Sequence, residues 1–578
     1  MFCSENNEMQ SFDVIIVGGG ASGCVIANRL SEDTDRRVLL VEAGADTPPD
    51  KVPLDVLDSY PGRAYLNPSY TWPDLNGYLR PVPHNSPERP PLARYEQARI
   101  LGGGSSINGQ VAARGFPADY DDWAELGANG WRWKDVLPYF RKLERDLDFN
   151  GPDHGQDGPI PIRRIFRNEW DGLTRAAAGA FEHLGFVYRK DMNAMFDEGF
   201  FPAPFTNENG QRVSTAIGYL GANQRRRKNL SIRCNSQVKR IVFEHRVAVG
   251  IELELAGGLS ETIRGRHIFV TAGAIHTPAL LQRSGVGPAL LLKEFGIPVV
   301  ANRAGVGHGL QDHAAVSISA FLQRKDRFDE RTRRHIHMHL RYSSNVEGGS
   351  PLDMVINTAS RSAWHPLGQQ IGSFQLFVGK PFSRGSVKIL SGDWRTAPEV
   401  RFELLSDRRD HLRLMEAMRL MALALQEEPL KSVALDPFPS SYSSKVRRIG
   451  ALKVSNQLLT AAAAFLLEGP TPLRRALLRY LVAPGAGLAE LVSNEDALSR
   501  FVSEGATPTW HACSTCRMGS SDDINAVTDS SGKVYGIEGL SIGDASLMPA
   551  ITRGNTVLPT IMIAEKISEE WRCSFKYG

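Results

Sequence analysis

The feature that most constrains the fold lies at the start of the chain. The apolar run Phe12-Asp13-Val14-Ile15-Ile16-Val17 stops at Gly18-Gly19-Gly20-Ala21-Ser22-Gly23. A short apolar run closed by glycines predicts a buried parallel strand. Helical spacing over Ala21–Leu30 and a second apolar strand over 37–41, ending at Glu42, complete a β-turn-α-β unit. The turn fits GxGxxG. Gly18 permits the tight turn, Gly20 lets a pyrophosphate approach the backbone, and Gly23 lets helix and strand pack closely. The helix N-terminus then offers free N–H groups and a positive dipole to phosphates. Glu42 is placed to accept from a ribose hydroxyl and to repel a 2′-phosphate. Strand, helix and acid together make this a dinucleotide site rather than a bare glycine turn.

A chain of 578 residues exceeds one simple core, so two domains or more are expected. With 42% hydrophobic and 23% charged residues, its composition is that of ordinary soluble globular proteins. A net charge of +3 without a basic stripe of interleaved aromatics does not point to a nucleic-acid partner. The six cysteines, Cys3, Cys24, Cys234, Cys513, Cys516 and Cys573, are scattered, which reads as free thiols in a reducing compartment. Cys513 and Cys516 form a CxxC with no second pair to complete a zinc site, so no metal is expected. Residues 1–11 lack the basic start and apolar stretch of a signal peptide. No apolar run reaches the ~18–20 residues of a membrane span. The expectation is a soluble, cytoplasmic protein.

Further along, 48–100 reads as long irregular connections and 123–143 as helix–turn–helix. Residues 230–244 and 249–254 read as a strand pair, 266–272 as a buried strand, and 278–283 as the start of a helix. Strand-like segments between 315 and 405, such as 372–378 and 385–390, predict an antiparallel sheet beside the nucleotide domain. A helix is expected over 407–427, and a final strand and helix over 539–543 and 556–566. Segment 458–467 is apolar but for Thr460, and 473–482 carries Arg474, Arg475 and Arg479. It admits two readings: a helical hairpin covering a pocket, which is favoured, or a helix on a membrane surface.

Other motifs carry chemistry. Residues 99–108 (Arg-Ile-Leu-Gly-Gly-Gly-Ser-Ser-Ile-Asn) are rich in glycine and small hydroxyls that let backbone N–H groups line an anion. Gly273-Ala274-Ile275-His276-Thr277-Pro278 follows a strand and leads to Ser284-Gly285-Val286-Gly287. Gly305–His313, Trp510-His511, Cys516-Arg517-Met518-Gly519, Gly543-Asp544-Ala545-Ser546 and Gly554-Asn555-Thr556 complete the set.

Together these motifs resemble the glucose–methanol–choline (GMC) oxidoreductases from Phe12 to about Lys566, nearly the whole chain. Segments 99–108 and 273–287 match the family's two signatures. Trp510-His511, Val534-Tyr535-Gly536 and Leu558-Pro559-Thr560 after Asn555 are most similar to its bacterial furfural-type alcohol oxidases. The resemblance implies a Rossmann-like FAD-binding α/β domain, formed by 1–160, 205–315 and 505–578. It also implies an interleaved α+β substrate domain on an antiparallel sheet, formed by 161–204 and 316–504. It implies FAD held by Gly18, Gly20, Gly23, Glu42, Arg99, Gly103, Gly104, Ser106, Asn108, Gly109, Val238, Asp544, Ala545, Asn555 and Thr556. His511 matches the catalytic histidine that takes the hydroxyl proton while flavin N5 receives hydride. Asn555 matches the second catalytic position, and Trp510 and Phe377 are expected to line the substrate pocket. Some relatives attach FAD through a histidine where this chain has Ile107, so noncovalent FAD is expected. The implied activity is oxidation of a primary alcohol, aromatic or furanic, with oxygen as acceptor. The alternatives are a dehydrogenase passing electrons to a quinone or other carrier, or a photodecarboxylase or lyase on the same fold. His276, His308 and His313 receive no catalytic role.

Overall fold

A computed structural model describes residues 11–81, 92–254, 258–328, 330–482 and 487–576. Cys3 and most of the N-terminal segment lie outside them. The strand Ser11–Val17, the helix Ala21–Leu30 and the strand Val38–Val41 form as the apolar pattern predicts. They seed a seven-stranded sheet in the order Leu230–Arg233, Val38–Val41, Ser11–Val17, Ser260–Val270, Val247–Glu254, Val238–Glu244. The first four strands run parallel. The long strand Ser260–Val270 divides its other edge. Its first half pairs antiparallel with Val247–Glu254, and its last residues pair in parallel with Leu540–Ile542. A sheet covered on both faces buries whole strands, and Val14, Ile15 and Ile16 are fully buried.

The fold departs from the sequence pattern at two places in this half. Residues 230–244 are not one strand. The chain turns at Asn235, in the left-handed region at φ 53°, so Leu230–Arg233 joins the far edge and only Val238–Glu244 joins the hairpin. Both pieces carry the same apolar alternation, so the pattern could not separate them. The helix expected from 278 begins at Gly273 and carries Pro278 inside it.

The second large sheet is antiparallel, in the order Ala434–Ser440, Ala314–Leu322, Ile371–Val378, Met354–Ala359, Ile336–Tyr342, Gly199–Pro202. The expected strand at 385–390 is not part of it. Gly385–Lys388 pairs with His308–Leu310 and Glu399–Arg401 in a separate five-stranded sheet, and Leu390 is exposed. Two of the short strands of that sheet, Asn76–Tyr78 and Ala93–Arg94, come from the stretch read as irregular. The helix Arg408–Ala424, capped by the Asp407 carboxylate, packs on the antiparallel sheet. Leu467 of the helix Val454–Leu467 and Leu478, the residue after the helix Thr471–Leu477, pack on Phe321, Ile371 and Phe438. That is the end of the sheet remote from Phe377, so this unit does not cover the pocket as favoured from the sequence.

Candidate active site

A cavity of about 550 Å³ runs between the two large sheets. Gly18, Gly20, Glu42 and Val238 line it, as do Phe377, His511 and Asn555.

The nucleotide-side wall is built from glycines in contact. Gly102 donates its N–H to the Gly19 carbonyl at 2.7 Å. A Cβ on Gly103, at φ 52°, would lie 2.7 Å from the Gly20 Cα, so the two glycine loops abut only without side chains. Gly23 serves packing, since its Cβ would fall 1.9 Å from the Gly18 carbonyl oxygen. Gly20 caps the helix Ala21–Leu30 with no side-chain bond, and Ala21 and Ser22 line the cavity. The unpaired N–H groups of that first turn are therefore available to an anion. Glu42 is buried and bridges backbones, its two oxygens accepting from Gly19 and Gly44 at 2.7 Å each. Burial pushes its carboxyl upward, opposed by these bonds. Asp544 accepts from Gly273 N–H and the Thr277 hydroxyl, tying the helix Gly273–Arg283 to the last strand. A Cβ on Gly104 or Gly109 would meet nothing within 4 Å, so both face open space. Free N–H groups at a helix start, a glycine wall and a buried ribose-type acceptor suit the ADP half of FAD.

Of the predicted cofactor residues, Gly18, Gly20, Glu42, Gly103, Gly104, Asn108, Gly109, Val238, Asp544, Ala545, Asn555 and Thr556 line the cavity. Gly23, Arg99 and Ser106 do not. The Arg99 guanidinium sits over the Trp72 ring, and the Ser106 hydroxyl donates to the Leu101 carbonyl inside its own turn.

A bulge in the antiparallel ladder sets the opposite end. Ala314 pairs with Pro508, and Gln311 pairs with Cys513. Between those pairs Asp312 and His313 face the four residues 509–512, which must loop outward. Trp510 sits at φ 62°, a strained conformation for a bulky residue. Asp312 holds the loop by accepting from the N–H groups of Thr509 and His511, at 3.1 and 3.0 Å, and from the Tyr95 hydroxyl. Burial pushes its carboxyl up to about 7 against those bonds.

His511 lies within this loop. Its Nε2 is 3.0 Å from the Asn555 amide nitrogen. Its Nδ1 is 2.9 Å from His313 Nδ1 and 2.8 Å from Thr509 Oγ1. His313 Nε2 is 3.1 Å from the Thr552 carbonyl, which can only accept. These contacts define the tautomers. His313 donates from Nε2, so its Nδ1 accepts. His511 donates from Nδ1, and its Nε2 keeps a lone pair facing the Asn555 amide. Burial, with a smaller contribution from the neighbouring His313, holds the His511 imidazolium well below the usual range, so it stands neutral near pH 7.

Asn555 is held by its own loop. Buried Asp119 accepts from Arg553 N–H at 2.8 Å and pairs with the Arg553 guanidinium at 2.6 Å and Lys380 at 3.0 Å. Gln311 accepts from Ile551 N–H at 3.0 Å. Phe377 and Trp510 line the cavity as predicted. Phe377 lies 5.4 Å from the His313 ring, and Tyr95 lies 6.4 Å from Trp510. Cys513 and Cys516 are buried and unbridged, and burial pushes the Cys513 thiol up to about 12, so the CxxC is inert packing.

Sequence reasoning missed Thr509, Asp312, Tyr95 and the function of His313. His313 stands 198 residues from His511, and the pairings of Ala314 with Pro508 and Gln311 with Cys513 bring them together. It also missed a polar wall, where Asn357 donates to Gln375 at 3.0 Å and both line the cavity.

The fold and this site define a flavin-dependent oxidoreductase that acts on alcohol groups. Two family profiles, each described as GMC oxidoreductase, match residues 12–315 and 381–564, and the chain belongs to that family. It is 38% identical to a 5-(hydroxymethyl)furfural oxidase of Methylovorus sp. (strain MP688), covering 96% of this chain and 98% of the relative. It is 31% identical to an oxygen-dependent choline dehydrogenase of Vibrio vulnificus (strain YJ016), covering 97% and 94%. Among solved structures, pyridoxine 4-oxidase from Mesorbium loti superposes with a TM-score of 0.80 at 24% identity, over 97% of this chain and 99% of that one.

Proposed function

We propose that the protein oxidises a primary aromatic or furanic alcohol to the aldehyde, with noncovalent FAD and with oxygen as acceptor. In this reading 1–160, 205–315 and 505–578 form the FAD-binding domain, and 161–204 with 316–504 form the substrate domain. The observation that carries the reading is the Asn555 amide nitrogen 3.0 Å from the unprotonated Nε2 of a neutral His511, both on the cavity wall.

A substrate hydroxyl that reaches both groups from the cavity replaces their direct hydrogen bond. Its oxygen accepts from Asn555 and its proton points at His511 Nε2. That orientation sets the carbon–hydrogen bond for cleavage. Bound FAD supplies the hydride acceptor. His511 takes the hydroxyl proton as the carbonyl forms, and its Nδ1–H remains shared between His313 and Thr509. The resulting imidazolium lies near the buried Asp312 carboxylate, reached through the Thr509 hydroxyl. Aromatic Phe377, Trp510 and Tyr95 around this end favour a flat, apolar substrate. Position 107 offers only the Ile107 hydrocarbon to the cavity, which supports noncovalent binding. The similarity to a 5-(hydroxymethyl)furfural oxidase supports both the alcohol class and the acceptor.

The test is anaerobic bleaching of the flavin-loaded protein against a panel of aliphatic, aryl and furanic alcohols, followed by oxygen. Bleaching by aryl and furanic alcohols, then reoxidation with peroxide release, is expected. Bleaching without peroxide on aeration would assign electrons to another carrier, and no bleaching by any alcohol would overturn the reading.

A further inference from the structure

The helix Val454–Leu467 contains no charged residue, yet it lies on the surface. Its inner face is fixed. Thr460, Ala464 and Leu467 are buried, the Ala464 carbonyl accepts from Gln370, and Leu467 packs under the sheet end at Phe321 and Ile371. Its outer face is a stripe at helical spacing: Val454, Leu458, Ala461 and Phe465, with Leu459 and Leu466 beside it. Phe465 is 80% exposed and Leu458 67%. A solvent-facing helix ordinarily carries charge there.

The charges sit at the rim instead. Residues 444–482 contain seven lysines and arginines and one acid, in a chain whose whole net charge is +3. Arg448 and Lys453 are exposed before the stripe, and Arg475 and Arg479 after it. The one acid, Glu468, pairs with Arg327 at 2.6 Å. Asp436 orients Arg474 and Arg475, yet Arg475 remains 69% exposed. The helix spans about 21 Å at 1.5 Å per residue, short of a bilayer core. It also follows the helix Ser444–Gly450 at a bend of 106°.

We propose that this face docks on an anionic lipid bilayer, with the apolar stripe in the acyl boundary and the basic rim on the headgroups. A second copy fits less well, because a two-fold contact through this face would set one basic rim against another. An anionic bilayer satisfies the apolar stripe and the rim together. Docking would also bring the cavity close to the membrane. Arg447 bonds Glu96 at 2.5 Å, Glu96 lines the cavity and accepts from Trp510, and Tyr442 stands edge-on to Trp510.

The experiment is sedimentation of the FAD-loaded full chain with vesicles of phosphatidylcholine alone or mixed with phosphatidylglycerol, at low and high salt. Light scattering measures the mass of the free protein. The protein is expected to pellet with the mixed vesicles at low salt and to be released by high salt. R475S/R479S should weaken partitioning roughly 25-fold, at roughly fivefold per basic residue near an anionic surface. L458E/F465E should stay in the supernatant while keeping its flavin and its reduction by alcohol, since the helix lies outside the cavity. Three results would overturn the proposal. They are a wild-type protein that ignores mixed vesicles at low salt, binding that survives L458E/F465E, and a wild-type dimer that L458E/F465E splits, which would give the face to a second copy.

Discussion

His313→Leu removes the group that His511 uses to hold its tautomer. His313 is fully buried, with Nδ1 2.9 Å from His511 Nδ1 and Nε2 3.1 Å from the Thr552 carbonyl. Leucine keeps the apolar contact with Phe377 and loses both bonds. A neutral intramolecular hydrogen bond contributes about 1 kcal/mol net, roughly a fivefold change in a rate that depends on it. The unpaired Thr552 carbonyl adds a comparable cost, three residues before Asn555. Thr509 Oγ1, 2.8 Å away, still accepts from His511 Nδ1, so the tautomer weakens without being lost. The rate constant for anaerobic flavin reduction, followed by stopped-flow absorbance, is expected to fall roughly 5- to 30-fold. That is well short of the roughly 10²–10⁴ of a general base removed outright. Burial is the larger cause of the depressed His511 imidazolium and persists in the variant. The acid limb of the rate profile should therefore stay below the ordinary histidine range. His313→Gln, whose amide oxygen can accept from Nδ1, should recover part of the loss. An unchanged rate would refute the positioning role, and a loss of 10³ or more would make His313 itself the base.

Other outcomes follow from the same geometry. Gly103→Ala places a Cβ 2.7 Å from the Gly20 Cα and should lower flavin content per chain, read from the visible absorbance of the purified protein. Full occupancy would show that the two glycine loops can part. His154 sits between Asp146, Asp191 and Glu144. Burial alone would lower its pKa, but the three carboxylates outweigh burial and push it up to about 10. A raised pKa stabilises the fold fully below the unfolded value, about 6.5, and that contribution disappears as pH rises through about 10. The melting-temperature advantage of wild type over His154→Gln should shrink across that window, and an advantage that grows with pH would contradict the protonated form.

Much of the nucleotide half was legible because local physics decides it. Ala21–Leu30 forms over the residues predicted, since the glycine turn defines its start. The motif at 99–108 reads as a loop meeting an anion, and Gly103 indeed abuts Gly20. What was not legible depends on partners distant in the chain. Leu230–Arg233 crosses to the far sheet edge, and Gly385–Lys388 joins the strand at His308, though neither pattern says which neighbour it will find. His313 looked like any buried histidine until the pairing of Ala314 with Pro508 brought it to His511. Arg99 and Ser106 lie within a matching motif yet do not line the cavity: the Arg99 guanidinium sits over the Trp72 ring, and the Ser106 hydroxyl bonds the Leu101 carbonyl.

In the proposed reaction His511, neutral and held by His313 and Asn555, takes the hydroxyl proton of an alcohol bound against the flavin. Its most direct test is the rate of anaerobic flavin reduction by an aryl or furanic alcohol in His511→Ala. The variant should retain its flavin, because the ADP-side wall is untouched, and should be reduced roughly 10²–10⁴ times more slowly than wild type. Reduction at an undiminished rate, in a variant still loaded with flavin, would contradict the account.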